Sequence, residues 1–500
     1  MFLDFMSEVE ALLKSALERC GCHLEEGGNP LGLDISPHAD LASSVAFRLA
    51  PVLKKSPAAI AAEIHKALPE ERHYVDRVEV LGPYLNFFMN DRFLDKVLQE
   101  ALADNAWTGR MSEKVIVEHT SANPDGPLHV GHIRNSVIGD TIVRILRRAG
   151  CNVDAQYYIN DMGRQEAMVV VGCDHFPLDG SKADHAVAKV YIAANKLMES
   201  EPGIRGEADS VIARYEAGDP EIIAKIQSAV KYAIGGIEQT LQRMNIGHDT
   251  YHWESEFVRR GDVEEIVGLL EKTGLTEWEN GAFQLDLASY GFEKKMVLKR
   301  ANGTSLYITR DLAYHRWKAE NSDRSVDILG ADHKLVSGQL RTALRLLGVR
   351  EPEVVIFEFV SLPTGSMSTR KGKFISADEL LDEVEKQAYE EVKLRRPEES
   401  EAFLRETAAQ VAAGAVRYDV VKVSADKATT FDWKQALDFE KLSAPFIQYS
   451  HARAASILRR GEAEFGAVDC SAIRSDLLSG EQELALLKKI AQFDLVIDRA

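Results

Sequence analysis

Val115-Ile-Val-Glu118-His-Thr-Ser121-Ala-Asn123-Pro-Asp-Gly-Pro-Leu-His129-Val-Gly-His132, followed by an amphipathic run to Arg148, is the stretch that decides how this chain is read. Val115, Ile116 and Val117 form a short apolar run of strand character, and the Pro- and Gly-rich segment after them is its exit turn. Pro127 suits a first helical turn, and Ile133, Val137, Ile138, Ile142, Ile145 and Leu146 recur at helical spacing. A helix therefore starts at the two histidines, and its free N–H groups and positive dipole end suit an anionic phosphate. His129 and His132 lie three residues apart on one face, and Gly131 keeps side-chain bulk out of the approach.

Strand, helix and strand (Val153 to Ile159) in succession imply a parallel, doubly wound sheet that binds ligands at the carboxyl ends of its strands. Residues 1–108 form a separate α/β unit, with helical periodicity over Phe5–Leu17, Leu41–Leu53 and Ala58–Leu68 and two strands broken at Gly82-Pro83. Residues from about 175 to 275 are expected to be a helical insertion in the sheet. Strands resume at Phe283–Leu287, Met296–Lys299 and Leu306–Ile308, then at Val326–Leu329 and Val354–Phe359. After Phe374 the pattern is almost continuously helical, and the last helix, from Glu481, meets no stop signal before Ala500, so further C-terminal sequence is expected.

Five hundred residues imply several domains, and 45% hydrophobic with 28% charged content is ordinary for a globular protein. No run of 18 apolar residues and no signal peptide is present, which points to the cytoplasm and away from membranes. Five scattered cysteines fit neither a zinc site nor a disulfide framework. A net charge of −18 speaks against a nucleic-acid partner for the chain as a whole. Basic clusters at Arg144/Arg147/Arg148, Lys294–Arg300, Arg341/Arg345, Arg370–Lys373 and Arg453/Arg459/Arg460 leave local patches open to one.

Neither a P-loop nor a Gly-x-Gly-x-x-Gly fingerprint follows the strand at Val115, so phosphates must be met otherwise. Two imidazoles at a helix start can hydrogen-bond an α-phosphate as it becomes five-coordinate. Ser366-Met367-Ser368-Thr369-Arg370-Lys371-Gly372-Lys373 places three cations in four positions, suited to neutralising pyrophosphate.

His129-Val-Gly-His132 resembles the HIGH signature, and Ser366-Met-Ser-Thr-Arg-Lys-Gly the KMSKS loop, of class I aminoacyl-tRNA synthetases. Ala122-Asn-Pro-Asp-Gly-Pro-Leu-His-Val-Gly-His132, Tyr158-Ile-Asn160-Asp161-Met-Gly163-Arg-Gln165, Leu306-Tyr307-Ile-Thr-Arg-Asp311 and Gln448-Tyr449-Ser-His451-Ala452-Arg453 narrow the resemblance to the arginyl-tRNA synthetase family, in order along the whole chain. One departure is that Ser366 and Thr369 stand where that loop usually carries lysines, with Arg370, Lys371 and Lys373 downstream in their place.

The resemblance implies a ligase of protein biosynthesis that joins L-arginine to tRNA(Arg) with ATP and Mg²⁺, through an arginyl-adenylate and attack by the 2′-hydroxyl of the terminal adenosine. It implies a Rossmann-like catalytic domain over 109–394 carrying the insertion, a tRNA-contacting N-terminal domain over 1–108, and an α-helical anticodon-binding bundle over 395–500, incomplete at its C-terminus. His129, His132, Arg370 and Lys371 would act on the phosphates. Glu118, Ser121 and Asn123 would hold the α-amino end and backbone of arginine, Tyr307 and Asp311 its guanidinium, and Gln339 would reach the substrate. A planar cation indeed wants a carboxylate and an aromatic face. Ala122, Pro124, Gly126, Pro127, Leu128, Val130, Gly131, Met367 and Ser368 would line ATP, with Gly330, Asp332 and His333 at the adenosine rim. Tyr449 and Arg453 would contact tRNA; no residue is assigned to a metal, and a monomer is expected.

Among alternatives, a class I synthetase for glutamate or glutamine would want a cation or an amide where Glu118 and Asp311 stand, and one for cysteine would want zinc ligands that the sequence lacks. A small-molecule nucleotidyltransferase has no use for a helical C-terminal module, and a silent tRNA-binding protein has none for intact histidines.

Overall fold

Val115, Ile116 and Val117 are almost wholly buried in the middle strand of a five-stranded parallel sheet. The computed structural model describes the chain except for residues 25–28, 103–108, 110, 362–374, 441, 467–473 and 479. The sheet strands, numbered along the chain, are β1 (Lys114–Glu118), β2 (Asn152–Ile159), β3 (Thr250–Trp253), β4 (Arg324–Gly330) and β5 (Glu353–Phe357), in the spatial order β5-β4-β1-β2-β3. Strand order reverses at β1, and the crevice beyond the carboxyl ends of β1 and β4 is where such sheets bind ligands.

The helix predicted after the histidines is α1, Val130–Arg148, which packs Ile133, Val137 and Val143 against the sheet core. Its other buried face is polar. Arg134, fully buried, donates to the carbonyls of Glu358, Phe359, Ser424, Ala425 and Lys427. Asp140 accepts from Arg144 (2.7 Å) and from Arg417. Gly139 lies so near β1's exit that a Cβ would stand 2.2 Å from the Cβ of His119.

The sheet departs from the sequence expectation in three places. The stretch expected to be a helical insertion contains β3, a four-residue strand whose pattern is too short to show periodicity. The runs at Phe283 and Met296 are not in the parallel sheet; with Thr276–Glu279 they make a separate three-stranded antiparallel sheet, strands Ala282–Leu285 and Met296–Lys299. Leu306–Ile308, expected as strand, is instead the start of α2 (Tyr307–Asn321), because Leu298, Leu312 and Tyr314 bury its apolar side as a helix. A third helix of this region, α3, spans Lys334–Leu346.

The chain divides into two units, one of residues 112–146 and 151–458, the other of residues 1–111, 147–150 and 459–500. Helix Glu401–Val421 falls in the first, sharing a core with Ala377–Arg395 through Leu404, Ala408, Val411, Leu381, Val384 and Ala388, so the boundary expected at residue 395 lies inside that unit. The other unit has a four-stranded antiparallel sheet over Phe2, Phe5, Leu13, Phe87 and Phe93, and Leu487, Ala491 and Leu495 join this core. Within the stretch expected as helix from Leu41, residues Ala39–Ser43 are a strand paired to Tyr84–Met89, and the helix is confined to Val45–Leu53. No helix of the described residues is long and apolar enough to cross a membrane.

Gly139→Ala is expected to destabilise the sheet-bearing unit by about 1–3 kcal/mol, because the new methyl overlaps His119. Thermal unfolding would check it, and an unchanged midpoint would refute the close approach.

Candidate active site

The histidine pair is built by backbone hydrogen bonds. His129 N–H donates to His132 Nδ1 (3.3 Å) and His132 N–H to His129 Nδ1 (3.2 Å), while the rings stack 3.7 Å apart at 12°. Both Nδ1 atoms act as acceptors, so each neutral ring carries its proton on Nε2. Neutrality is enforced: burial, then the neighbouring His129, pushes His132 down to about 3, and burial lowers His129. The pair thus offers N–H donors without added charge. Gly131 is required here, since a Cβ would sit 2.7 Å from the His129 ring. Leu128 C=O accepts from Ala377 N–H (2.7 Å) and His129 bridges Ser376, so the chain after residue 374 returns to the histidines.

Upstream, the turn leaving β1 presents Glu118 and Ser121. Ser121 Oγ donates to Glu118 Oε1 (3.0 Å) and accepts from Tyr158 N–H on β2 (3.0 Å). The sheet register sets Glu118 between Gln156 on β2 and Asp327 on β4. Two carboxylates side by side repel. Lys318, fully buried on α2, reconciles them, with Nζ 2.5 Å from Glu118 and 2.7 Å from Asp327. His315 adds a contact to Asp327 at 2.8 Å. Burial alone would raise the Asp327 carboxyl, but Lys318 and His315 hold it well below the usual range. Burial would lower Lys318, and the two carboxylates keep it raised and charged.

Asp311, one turn before His315 on α2, is different. Burial pushes its carboxyl up to about 6; His315 and Lys318 pull it down while Glu118 and Asp327 push it up. A cleft lined by Glu118, Asp311, His315, Asp327, Leu329 and His333 brings these groups together. Tyr307, one turn earlier, is more than half exposed. Asn123 donates to Gln165 Oε1 (3.1 Å), and Gln165 donates on to Asp125 (2.8 Å). Ala122 C=O accepts from Tyr157 OH (2.8 Å), and Leu128 and Val130 are core residues beside Pro124, also buried, and the partly exposed Gly126 and Pro127. Gly330 ends β4, and Asp332 and His333 follow it with exposed side chains.

Not every predicted residue reaches the cleft. Gln339 is buried on α3 and gives its amide to Lys294 C=O (2.7 Å), away from the cleft. Tyr449 is exposed on helix Ala444–Phe465, as is Arg453. Arg370, Lys371, Met367 and Ser368 lie outside the described residues.

Sequence reading missed Lys318, His315, Asp327 and Glu254. Asp311, His315 and Lys318 sit at i, i+4 and i+7, a stripe of ionisable residues on one helix face that was a usable signal. Asp327 interrupts an apolar strand, a second one. Glu254 follows the unrecognised β3; it pairs with Arg310 at 3.1 Å, yet burial pushes it up to about 8. Among the described residues, two clusters have ligand atoms close enough for a cation, Glu118/His315/Asp327 and Asp184/His185/Asp378. Each already holds a lysine ammonium, Lys318 in one and Lys182 in the other, at 2.7 and 2.8 Å from Asp184 and Asp378. Neither set suits a resident divalent ion.

A doubly wound sheet with a histidine-headed helix at its switch point and an acidic cleft beside it defines a class I aminoacyl-tRNA synthetase. Family models agree: "tRNA synthetases class I (R), catalytic domain" matches residues 95–433, "Arginyl tRNA synthetase N terminal domain" residues 7–89, and "DALR anticodon binding domain" residues 447–500. The chain is 65% identical to an arginine–tRNA ligase of Methanothrix thermoacetophila and 51% to one of Methanosarcina barkeri, in each case over 100% of this chain and 88% of the relative. The solved arginyl-tRNA synthetase of Thermus thermophilus superposes with a TM-score of 0.78 at 29% identity, covering 98% of this chain and 87% of that one. The chain belongs to the arginyl-tRNA synthetase family. It joins arginine to tRNA at the expense of ATP, through an arginyl-adenylate.

Lys318→Met is expected to destabilise the sheet-bearing unit by about 3–5 kcal/mol, because the buried Asp327 charge is left beside the half-buried Glu118 without their shared lysine. Urea unfolding of the two proteins side by side measures this; equal midpoints would deny the bridge.

Proposed function

We propose that the two substrates of arginine activation meet over the single loop 118–132. The neutral histidines His129 and His132 hydrogen-bond the α-phosphate, and their donors stabilise charge that grows as the arginine carboxylate attacks it. Glu118, Ser121 and Asn123 hold the amino end and backbone of arginine, and Asp311 with Tyr307 receives the guanidinium. The observation that carries this assignment is the Asp311 carboxyl: it lines the same cleft as Glu118 and is raised to about 6, with Lys318 and His315 committed to Asp327. A cationic ligand is what such a group lacks. No covalent enzyme intermediate is needed; positioning and electrostatics supply the rate.

Ala122, Pro124, Gly126, Pro127, Leu128, Val130 and Gly131 face ATP, with Gly330, Asp332 and His333 at the adenosine rim and Met367 and Ser368 on the basic loop. Arg370 and Lys371 of that loop neutralise pyrophosphate. Mg²⁺ arrives with ATP, which accords with the two lysine-filled carboxylate clusters. Residues 1–108 contact the body of the tRNA, a reading supported by the match of residues 7–89 to the N-terminal domain of arginyl-tRNA synthetases. The catalytic domain runs past residue 394 to include helix Glu401–Val421, and the helical residues beyond it reach the anticodon, with Tyr449 and Arg453 exposed to tRNA. The protein works as a monomer in the cytoplasm on tRNA(Arg).

Arginine-dependent ATP–pyrophosphate exchange, run over all twenty amino acids with and without tRNA, tests the reading, and exchange driven by a different amino acid would overturn it. His132→Ala should lower the exchange rate by roughly 10²- to 10³-fold with apparent ATP affinity held; a loss confined to affinity would contradict the role. Arginine binding needs the ionised Asp311 carboxylate, so its KM should fall as pH rises through about 6 and level off above. Between pH 5.5 and 7.5 the change should be about fourfold for one group of that pKa. Asp311→Asn should weaken arginine use and abolish this pH dependence. A profile unaltered by that substitution would place the titrating group elsewhere.

A further inference from the structure

The chain bends hardest between the two halves of the site. Thr120 and Ser121 have φ of 68° and 35°, two consecutive non-glycine residues in the left-handed region that such side chains disfavour. The first turns of α1 hold them there. Thr120 N–H donates to Asn135 Oδ1 at 2.6 Å. The Thr120 hydroxyl lies 2.7 Å from Ser136 Oγ, which donates to the His132 carbonyl at 2.8 Å. With its other end, Asn135 donates Nδ2 to Ile328 C=O on β4 at 2.8 Å. One amide therefore clamps the strained turn to the neighbouring strand, three residues beyond His132.

We infer that Asn135 is a positioning residue for the amino-acid half of the site. It touches no substrate; by holding Thr120 left-handed it fixes Ser121 and Glu118 relative to His129 and His132. The inference rests on the assignment of Glu118 and Ser121 to arginine made above. The side-chain chemistry is specific: an asparagine amide accepts and donates at once. Aspartate would keep the acceptor for Thr120 and lose the donor to Ile328, and alanine would lose both. Released from the clamp, a threonine relaxes toward extended backbone and carries Ser121 Oγ away from Glu118 and from Tyr158 N–H. Glycine adopts positive φ without help. Substitution at residue 120 therefore separates a conformational clamp from ordinary packing support, since glycine there repairs the loss of the first and only adds to the loss of the second.

The test uses the full chain with tRNA present, measuring KM for arginine and for ATP separately by pyrophosphate exchange in wild type, N135A, T120G and the double variant. N135A should raise the arginine KM about tenfold with the ATP KM within about twofold, T120G alone should cost under about threefold, and the double variant should return to within about threefold of wild type. The clamp is overturned if N135A leaves the arginine KM unchanged, raises both KM values alike, or is not improved by T120G. Should N135A fail to fold, N135D decides: it keeps the acceptor for Thr120 but sets a carboxylate oxygen against Ile328 C=O in place of the donor, so it should raise the arginine KM about tenfold with the ATP KM within about twofold, whereas an unchanged arginine KM would overturn the clamp. Wild-type exchange that does not depend on arginine would overturn the pocket assignment, a result separable from any of these.

Discussion

A helix packed beneath a parallel sheet ordinarily buries an apolar stripe and shows its polar residues to water. Val130–Arg148 does not: Arg134, Ser136 and Asp140 are buried along with Ile133, Val137 and Val143. Everything around the site hangs on how those polar groups are satisfied. A buried guanidinium is costly unless its N–H groups find acceptors; Arg134 finds five carbonyls, drawn from residues 358–359 and 424–427. Asp140 likewise reaches Arg417, on a helix that begins at residue 401. The requirement to pair these buried groups, met by both terminal nitrogens of Arg134 though not by its Nε, thus ties segments far apart in sequence to one element that also carries the histidines.

The same logic runs at larger scale in the charges. Parallel register sets Glu118 beside Asp327, a pairing that would be unfavourable by itself, and α2 delivers Lys318 between them. Asp311 comes from the same helix face but has no cation as close among the described residues. The cleft thus holds a neutralised pair beside a carboxyl that burial raises to about 6, while burial keeps the nearby histidine pair neutral.

Much of this was legible in the residues. The strand at Val115, the helix after His132 and the parallel sheet follow from short apolar runs and helical spacing, which are local signals. Thr250–Trp253 was hidden because four half-buried residues carry too little pattern, and Leu306–Ile308 misled because an apolar triplet fits strand and helix alike. Glu118, Asp311 and the histidines could be singled out by type and context. Lys318 was visible only as one of a stripe of ionisable residues on α2, without its partners, and Asn135 not at all: their roles depend on which strands become neighbours, a fact fixed by tertiary register. Gln339 shows the converse, a residue of suitable type whose amide the fold spends on the backbone of Lys294.

The strand order has a further consequence for how the chain comes to be made. β1 sits at the centre of the sheet, yet one of its two partners, β4, begins only at Arg324. At translation speeds of about 5–20 residues per second, the edge of β1 stays unpaired for roughly 10 to 40 s after Glu118 is synthesised. Through that interval Glu118 lacks Lys318 and Asp327 alike, and an apolar strand with an open edge is a template for wrong pairing. The bonds from α1 to the turn after β1, at Thr120 with Asn135 and Ser136, join residues made within a few seconds of one another. The early-formed half of the crevice therefore has its own support while it waits for the strand that completes it.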